Sequence, residues 1–302
     1  QLISNLIYFL VIRKSIWKLI PFNSPLIIPK FDKQTLIKNW KYSLGIAGIS
    51  LLSTIIIQSD KIVMSKLLSL EELGYYTLAA TIAMFPIMIS NPITSAVFPE
   101  FINLIESKSQ KKIISLYHRT CKLVALIILP ISITSLFMMD QIIFIWTGSN
   151  QIANQSSDVA CFLLLGQLFQ VMTSVPFYLS SAYGRTKLVF IVQLFSMSII
   201  IPLLLFFIPL LGILGGGVAW LLMNLIIFIP YMYYLHNKII KHQFQEWIIK
   251  DVLSPIIILV PSVFFLNMIL PDTQNKIAIL LRIAIICLIS TIFLLLILKE
   301  LR

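Results

Sequence analysis

Leu188-Val189-Phe190-Ile191-Val192-Gln193-Leu194-Phe195-Ser196-Met197-Ser198-Ile199-Ile200-Ile201-Pro202-Leu203-Leu204-Leu205-Phe206-Phe207-Ile208 carries no charged residue. A run of this length and composition matches a helix crossing the hydrocarbon core of a bilayer. Its two flanks differ. Gly184-Arg185-Thr186-Lys187 precedes it with two cations, and Pro209-Leu210-Leu211-Gly212 follows it with none. A second apolar run then starts at Ile213. Two apolar helices joined by an uncharged turn, with cations at the far end, read as a hairpin through a membrane.

The same pattern extends in both directions. Runs near spanning length lie at 42–57, 74–98, 123–139, 159–180, 188–208, 213–235, 252–270 and 277–298, and a partial apolar run ends at Ile12. Composition agrees. The 302 residues are 59% hydrophobic and 12% charged, with a mean hydropathy of +0.96. Soluble domains are roughly 45–50% apolar and about 25% charged. The fold class expected is therefore all-α, a polytopic transmembrane helix bundle. Cys121, Cys161 and Cys287 all fall inside apolar runs, so no disulfide framework is implied.

Charge assigns sides. Arg13, Lys14, Lys18, Lys30, Lys33, Lys38 and Lys41 precede the first full span. Lys108, Lys111, Lys112, Arg119 and Lys122 join the second to the third, Arg185 and Lys187 the fourth to the fifth, and Lys238, Lys241 and Lys250 the sixth to the seventh. Lys299 and Arg302 end the chain. Of the alternate connections, 140–158 and 209–212 have no Lys or Arg, while Lys61, Lys66 and Lys276 lie on that side. Retained cations mark the cytoplasmic side, so the C-terminus is expected in the cytoplasm. The net charge of +11 is then accounted for by loops and anionic lipids, without a nucleic-acid partner. Trp17, Trp40, Trp146 and Trp247 lie near span ends, where interface anchors belong.

The divisions expected are four. Residues 1–12 read as the end of a membrane helix that begins before residue 1, and 13–41 as a basic cytoplasmic linker with Pro21, Pro25 and Pro29. Residues 42–235 read as a six-helix unit, and 252–298 as two additional helices.

Several residues break the apolar pattern. Pro86, Pro92 and Pro99 crowd the second span, each removing a backbone donor, and they suit a helix that kinks or gates. Gly215, Gly216 and Gly217 open the sixth span and permit close packing. Asp60 and Lys61 sit near the outer end of the first span, roughly 100° apart on the helix, so they do not face each other. Either could line a cavity, and Lys61 could instead snorkel outward. Arg119 and Lys122 share a helix face at the start of the third span. They snorkel to the interface or form a basic mouth for phosphate. Arg282, inside the last span, fits snorkelling.

His118, His236 and His242 fall in basic loops or at their edges, so no His/Asp pair is expected within a span. HExxH, GxSxG, Walker-type loops and metal-ligand clusters are absent from the sequence. An enzyme is disfavoured, and no metal or cofactor is expected, with H⁺ or Na⁺ coupling left open.

One stretch carries a resemblance. Ser59-Asp60-Lys61-Ile62-Val63-Met64-Ser65-Lys66-Leu67-Leu68-Ser69-Leu70-Glu71-Glu72-Leu73-Gly74-Tyr75-Tyr76-Thr77-Leu78-Ala79 resembles Wzx-type polysaccharide-biosynthesis flippases of the multidrug/oligosaccharidyl-lipid/polysaccharide exporter superfamily. Pro99-Glu100-Phe101, Trp146-Thr147-Gly148, Gly184-Arg185-Thr186-Lys187 and Leu214-Gly215 with Ala219 resemble weaker family elements. The resemblance implies a MATE-like second lobe with two extra C-terminal helices, in a fragment lacking the N-terminal lobe. It implies flipping of an undecaprenyl-pyrophosphate-linked oligosaccharide for O-antigen or capsule synthesis, by alternating access. Lys61, then Lys122 and Arg119, are the cavity cations it nominates, with Asp60 as a further cavity residue. A polysaccharide polymerase and a chain-length regulator would be partners. A cation-coupled multidrug antiporter and a flippase of lipid-linked peptidoglycan precursors are the alternatives.

Overall fold

The computed structural model describes residues 8–15, 33–271 and 275–300. The chain divides into two compact units, Gln1–Leu44 and Gly45–Arg302. In the first, residues 8–15 are helical; most of the basic linker with its three prolines lies outside the described residues, as does Trp17. The second unit holds the spanning bundle.

Its helices are α1 (Lys33–Leu67, from Gly45 onward), α2 (Leu70–Ala83), α3 (Phe85–Glu106), α4 (Gln110–Phe137), α5 (Met139–Thr147), α6 (Asn150–Ala182), α7 (Thr186–Leu211), α8 (Ile213–Lys238), α9 (Ser254–Ile269) and α10 (Lys276–Glu300). A short turn of helix, Phe244–Glu246, and a π-helix, Trp247–Leu253, lead into α9. Eight segments among the described residues are long and apolar enough to cross a membrane. The expected all-α polytopic bundle is what the chain forms, and the protein is a multi-pass membrane protein.

The helices run up and down, so Lys108, Lys111, Lys112, Arg185, Lys238 and Lys241 fall at one end, called here the basic end. Arg185 donates to Tyr234 Oη at 3.2 Å there, and Tyr183 to Gln110 at 3.5 Å.

Packing follows residue size. Gly216 lets α8 lie against α1 and α2: a Cβ on it would stand 2.1 Å from Met64 Cε and 2.8 Å from Tyr76 Cε2. Gly166 does the same between α6 and α8, where a Cβ would stand 2.5 Å from Trp220 Cδ1. One apolar cluster, around Met64, Tyr76, Ile143, Leu164, Leu204 and Met223, fills the half away from the basic end. A second, around Phe101, Tyr117, Val171, Leu179, Leu235 and Trp247, fills the basic half. A third joins α4 to α9 and α10 through Leu129, Leu259, Val263 and Ile286.

Three details depart from expectation. The stretch 140–158, expected as a loop, holds the nine-residue helix α5 and the start of α6. It is too short to span, and its C-cap Gly148 has φ +73, which a glycine adopts without a Cβ penalty. Trp247, expected as an interface anchor, is 1% exposed and packs on His236 and Phe244; Trp146 is exposed. Of the three prolines in the second span only Pro86 coincides with a break, between α2 and α3 at Met84, while Pro92 and Pro99 ride inside α3. Proline is tolerated in the first turn of a helix, so a new helix starts there instead of bending.

Candidate functional site

The junction of α1 and α2 is built locally. Ser69 caps α2: its Oγ accepts from Glu72 N at 3.3 Å, while Ser69 N donates to Glu72 Oε2 at 2.9 Å. This reciprocal pair fixes where α2 starts. Two turns on, Tyr76 is fully buried against α1 and donates to Asp60 Oδ2 at 2.6 Å. Asp60 is itself buried and borders a cavity of about 30 Å³ with Gln167, Trp220, Ile57, Leu163, Ala80, Ala83 and Met84. That volume exceeds the ~10–15 Å³ a water needs, and Asp60 and Gln167 would hold one.

Lys61 points elsewhere. Ser50, Thr54, Gln58 and Ser65 are exposed and Lys61 half-buried, and their spacing puts all five along one face of α1. On α2 and α3, Thr77, Thr81, Asn91 and Ser95 make a similar stripe, and Ser95 bonds Tyr178 Oη on α6 at 3.0 Å. The hydroxyls of Thr54, Ser65, Thr77 and Thr81 bond back to carbonyls of their own helices. Gln58, Lys61 and Asn91 have no such internal solution, so their side chains call for water or protein at that face. α7 contrasts with this: Ile191, Leu194, Phe195, Leu205, Phe206, Leu210 and Leu211 dominate its exposed side chains, and the exposed Ser198 donates back to Leu194 O, as lipid requires. Two surfaces thus differ in the solvent they suit.

At the basic end the structure separates Arg119 from Lys122. Arg119 is exposed, while Lys122 leans toward Asp251, Nζ 3.9 Å from Oδ1. Asp251 is 1% exposed and sits in the π-helix. Its other oxygen is 2.5 Å from His118 Nδ1, and His118 Nε2 is 2.9 Å from Gln243 Oε1. Beside His118, Tyr117 Oη lies 3.2 Å from His236 Nε2, whose Nδ1 donates to Met232 O at 2.8 Å. The sequence pattern assigns no His/Asp pair to a span; here one joins α4 to the segment entering α9. A separation of 133 positions hides it, and the π-helix that turns Asp251 inward has no signature in the sequence.

The nominated cations do not converge. Asp60 and Lys61 lie in the half away from the basic end, and Arg119 and Lys122 at the basic end. Arg282, expected to snorkel, is 7% exposed and donates through Nη2 to Asn267 O and Oδ1 at 2.8 and 2.9 Å, tying α10 to α9. Among the described residues no group of His, Cys, Asp or Glu is arranged to hold a metal ion.

The bundle has counterparts among solved structures. The lipid II flippase MurJ in an inward closed conformation superposes with a TM-score of 0.66 over 91% of this chain and 58% of that one, at 18% identity. A multidrug resistance MATE family transporter in an outward-facing conformation gives 0.59, over 83% of this chain and 61% of that one, also at 18% identity. A MOP superfamily transporter from Pyrococcus furiosus gives 0.58 with the same coverages and identity. The chain shares its fold with these three proteins.

The family model described as polysaccharide biosynthesis protein matches residues 2–153, and the chain belongs to that family. A Shigella flexneri protein described as a candidate O-antigen transporter is 25% identical over 171 residues, which is 57% of this chain and 40% of that protein. The chain therefore spans less than two thirds of the relatives it matches.

Proposed function

We propose that the protein translocates an undecaprenyl-pyrophosphate-linked oligosaccharide across the bacterial inner membrane, by alternating access, for O-antigen or capsule synthesis. One observation carries this reading: α1 presents a polar stripe with Lys61 in it, followed by a similar stripe on α2 and α3, whereas α7 exposes mainly apolar side chains. A pyrophosphate entering hydrocarbon loses its hydration and needs cations and hydrogen-bond donors in return. Lys61 and Gln58 supply them along one helix face. The break before Pro86 splits the second spanning segment into two rods, which suits a bundle that rocks between two states. On this reading 42–235 is one transport lobe and 252–298 an added helical pair, with the basic end in the cytoplasm. A polymerase and a chain-length regulator would handle the exported glycan.

A second reading, a cation-coupled antiporter, draws on Asp60, a buried carboxylate beside a water-sized cavity. Expression in a strain lacking its surface-polysaccharide flippase separates the two. Restored surface polysaccharide, lost again in Lys61→Ala at equal protein level, supports the first. Drug efflux without restoration defeats it and supports the second.

A further inference from the structure

A second polar cavity, of about 200 Å³, opens at the end of the bundle away from the basic end. Asp140, Gln141 and Phe144 of α5, Asn150, Ala153 and Asn154 of α6, and Ile279 of α10 line it. It lies apart from the α1 stripe and contains none of its residues. Gln141 Oε1 is buried there with no hydrogen-bond partner among the described residues. A buried amide oxygen left unpaired is costly, so turning the Gln141 amide toward a donating molecule in the cavity would be favoured. One wall is fixed: Lys276 Nζ donates to Ile145 O at 3.3 Å and stands 5.7 Å from the Phe144 ring centre, pinning α10 to α5.

The chemistry of the lining narrows the ligand. Three carboxamides both donate and accept, and a carboxylate only accepts, a set that matches vicinal hydroxyls. The exposed edge of an aromatic ring adds an apolar surface. A single carboxylate among amides is too little for calcium, which takes about 6–8 oxygens, and it repels a phosphate or an acidic sugar. The cavity is also smaller than the ~300–1,000 Å³ usual for drug-sized ligands.

We infer that this cavity is a subsite for one neutral or amino-bearing pyranose of the exported glycan, set between the lobe and the last helix. The inference rests on the export reading for its substrate. If the basic end is cytoplasmic, the subsite lies on the outer face, where the sugars arrive after crossing while their lipid anchor remains in the bilayer.

Saturation-transfer NMR on the protein in lipid nanodiscs tests it, with methyl glucoside, methyl N-acetylglucosaminide and methyl glucuronide as probes at millimolar concentration. The two neutral probes should give transfer signals, and the glucuronide a much weaker one. Gln141→Leu and Asn154→Ala should each lower affinity by about fivefold, the worth of one hydrogen bond of about 1 kcal/mol, while Lys61→Ala should bind as the wild type does. Signals unchanged in both cavity variants, equal binding of the glucuronide, or no signal from any probe would overturn the subsite. Loss of export in Lys61→Ala alongside a silent cavity removes the subsite and leaves the export reading standing. A cavity that binds sugar in a protein unable to restore surface polysaccharide keeps the subsite and removes that reading.

Discussion

Replacing His118 by leucine would leave the Asp251 carboxylate buried, at 1% exposure, with its nearest cation 3.9 Å away on a lysine side chain that is 42% exposed. Breaking a buried pair by removing one partner costs about 3–5 kcal/mol, because the remaining charge is uncompensated. Gln243 loses its contact with the imidazole at the same time. Asp251→Leu removes the charge instead, and leaves His118 with only Gln243. The double replacement puts two apolar side chains in the same space, and such exchanges are often close to neutral. The single variants should therefore be worse than the double one. With each kcal/mol shifting Tm by about 2–3 °C in chains of this size, His118→Leu should lower Tm by about 6–15 °C. Lys108→Ala, on the exposed connection between α3 and α4, serves as control. The assay is intrinsic-fluorescence unfolding of purified protein in detergent, read as a double-mutant cycle. If His118→Leu melts with the Lys108→Ala control, or the two single effects simply add in the double variant, the pair does not clamp α4 to the segment that leads into α9.

Other contacts give shorter tests. Gly216→Ala drives a methyl into Met64 and the Tyr76 ring, and overpacking of this kind costs about 1–3 kcal/mol, visible as a lower Tm; an unchanged Tm would show that α8 is free to move away. Tyr76→Phe keeps the packing but takes the 2.6 Å hydrogen bond from Asp60, so stability should fall by about 1–3 kcal/mol in the same assay; if Asp60→Asn rescues it fully, the cost is that of the carboxylate's charge. Cysteines placed at Lys111 and Lys241 should react with an impermeant maleimide only after the inner membrane is opened, whereas one at the exposed Gln155 should react in intact spheroplasts; labelling in the reverse order would invert the topology.

Much of the fold is legible because lipid imposes a simple rule. Runs such as 188–208 and the cations that alternate between connections mark the spans and which connections share an end without any knowledge of contacts. Ser69 followed by Glu72 is likewise a readable helix start. Short elements are harder. Helix α5 is too brief to stand out as a span, and its Ile142, Ile143, Phe144 and Trp146 look like the tail of the preceding apolar run. Prolines are visible, yet sequence alone makes Pro86, Pro92 and Pro99 equivalent, and only the first stands where one helix can end and another begin. The site is legible residue by residue but not in its directions. Asp60 and Lys61 are adjacent, and roughly 100° of helix rotation sends one to Tyr76 and the other to an open face; which face is inward depends on where α2 and α8 lie. The His118–Asp251 pair and the cavity at the end away from the basic end are made by residues far apart in the chain, so no local pattern announces them.

On the proposed function, the exposed polar face of α1 lines an aqueous path for a lipid-linked pyrophosphate. Accessibility tests this most directly. In protein whose three free cysteines, Cys121, Cys161 and Cys287, are replaced by alanine, Gln58→Cys should react with a water-soluble maleimide. Undecaprenyl-pyrophosphate oligosaccharide should slow that reaction, and Phe206→Cys on α7 should stay unreactive. A Gln58→Cys variant as silent as Phe206→Cys, or one that reacts at the same rate with and without the lipid-linked glycan, would contradict such a path.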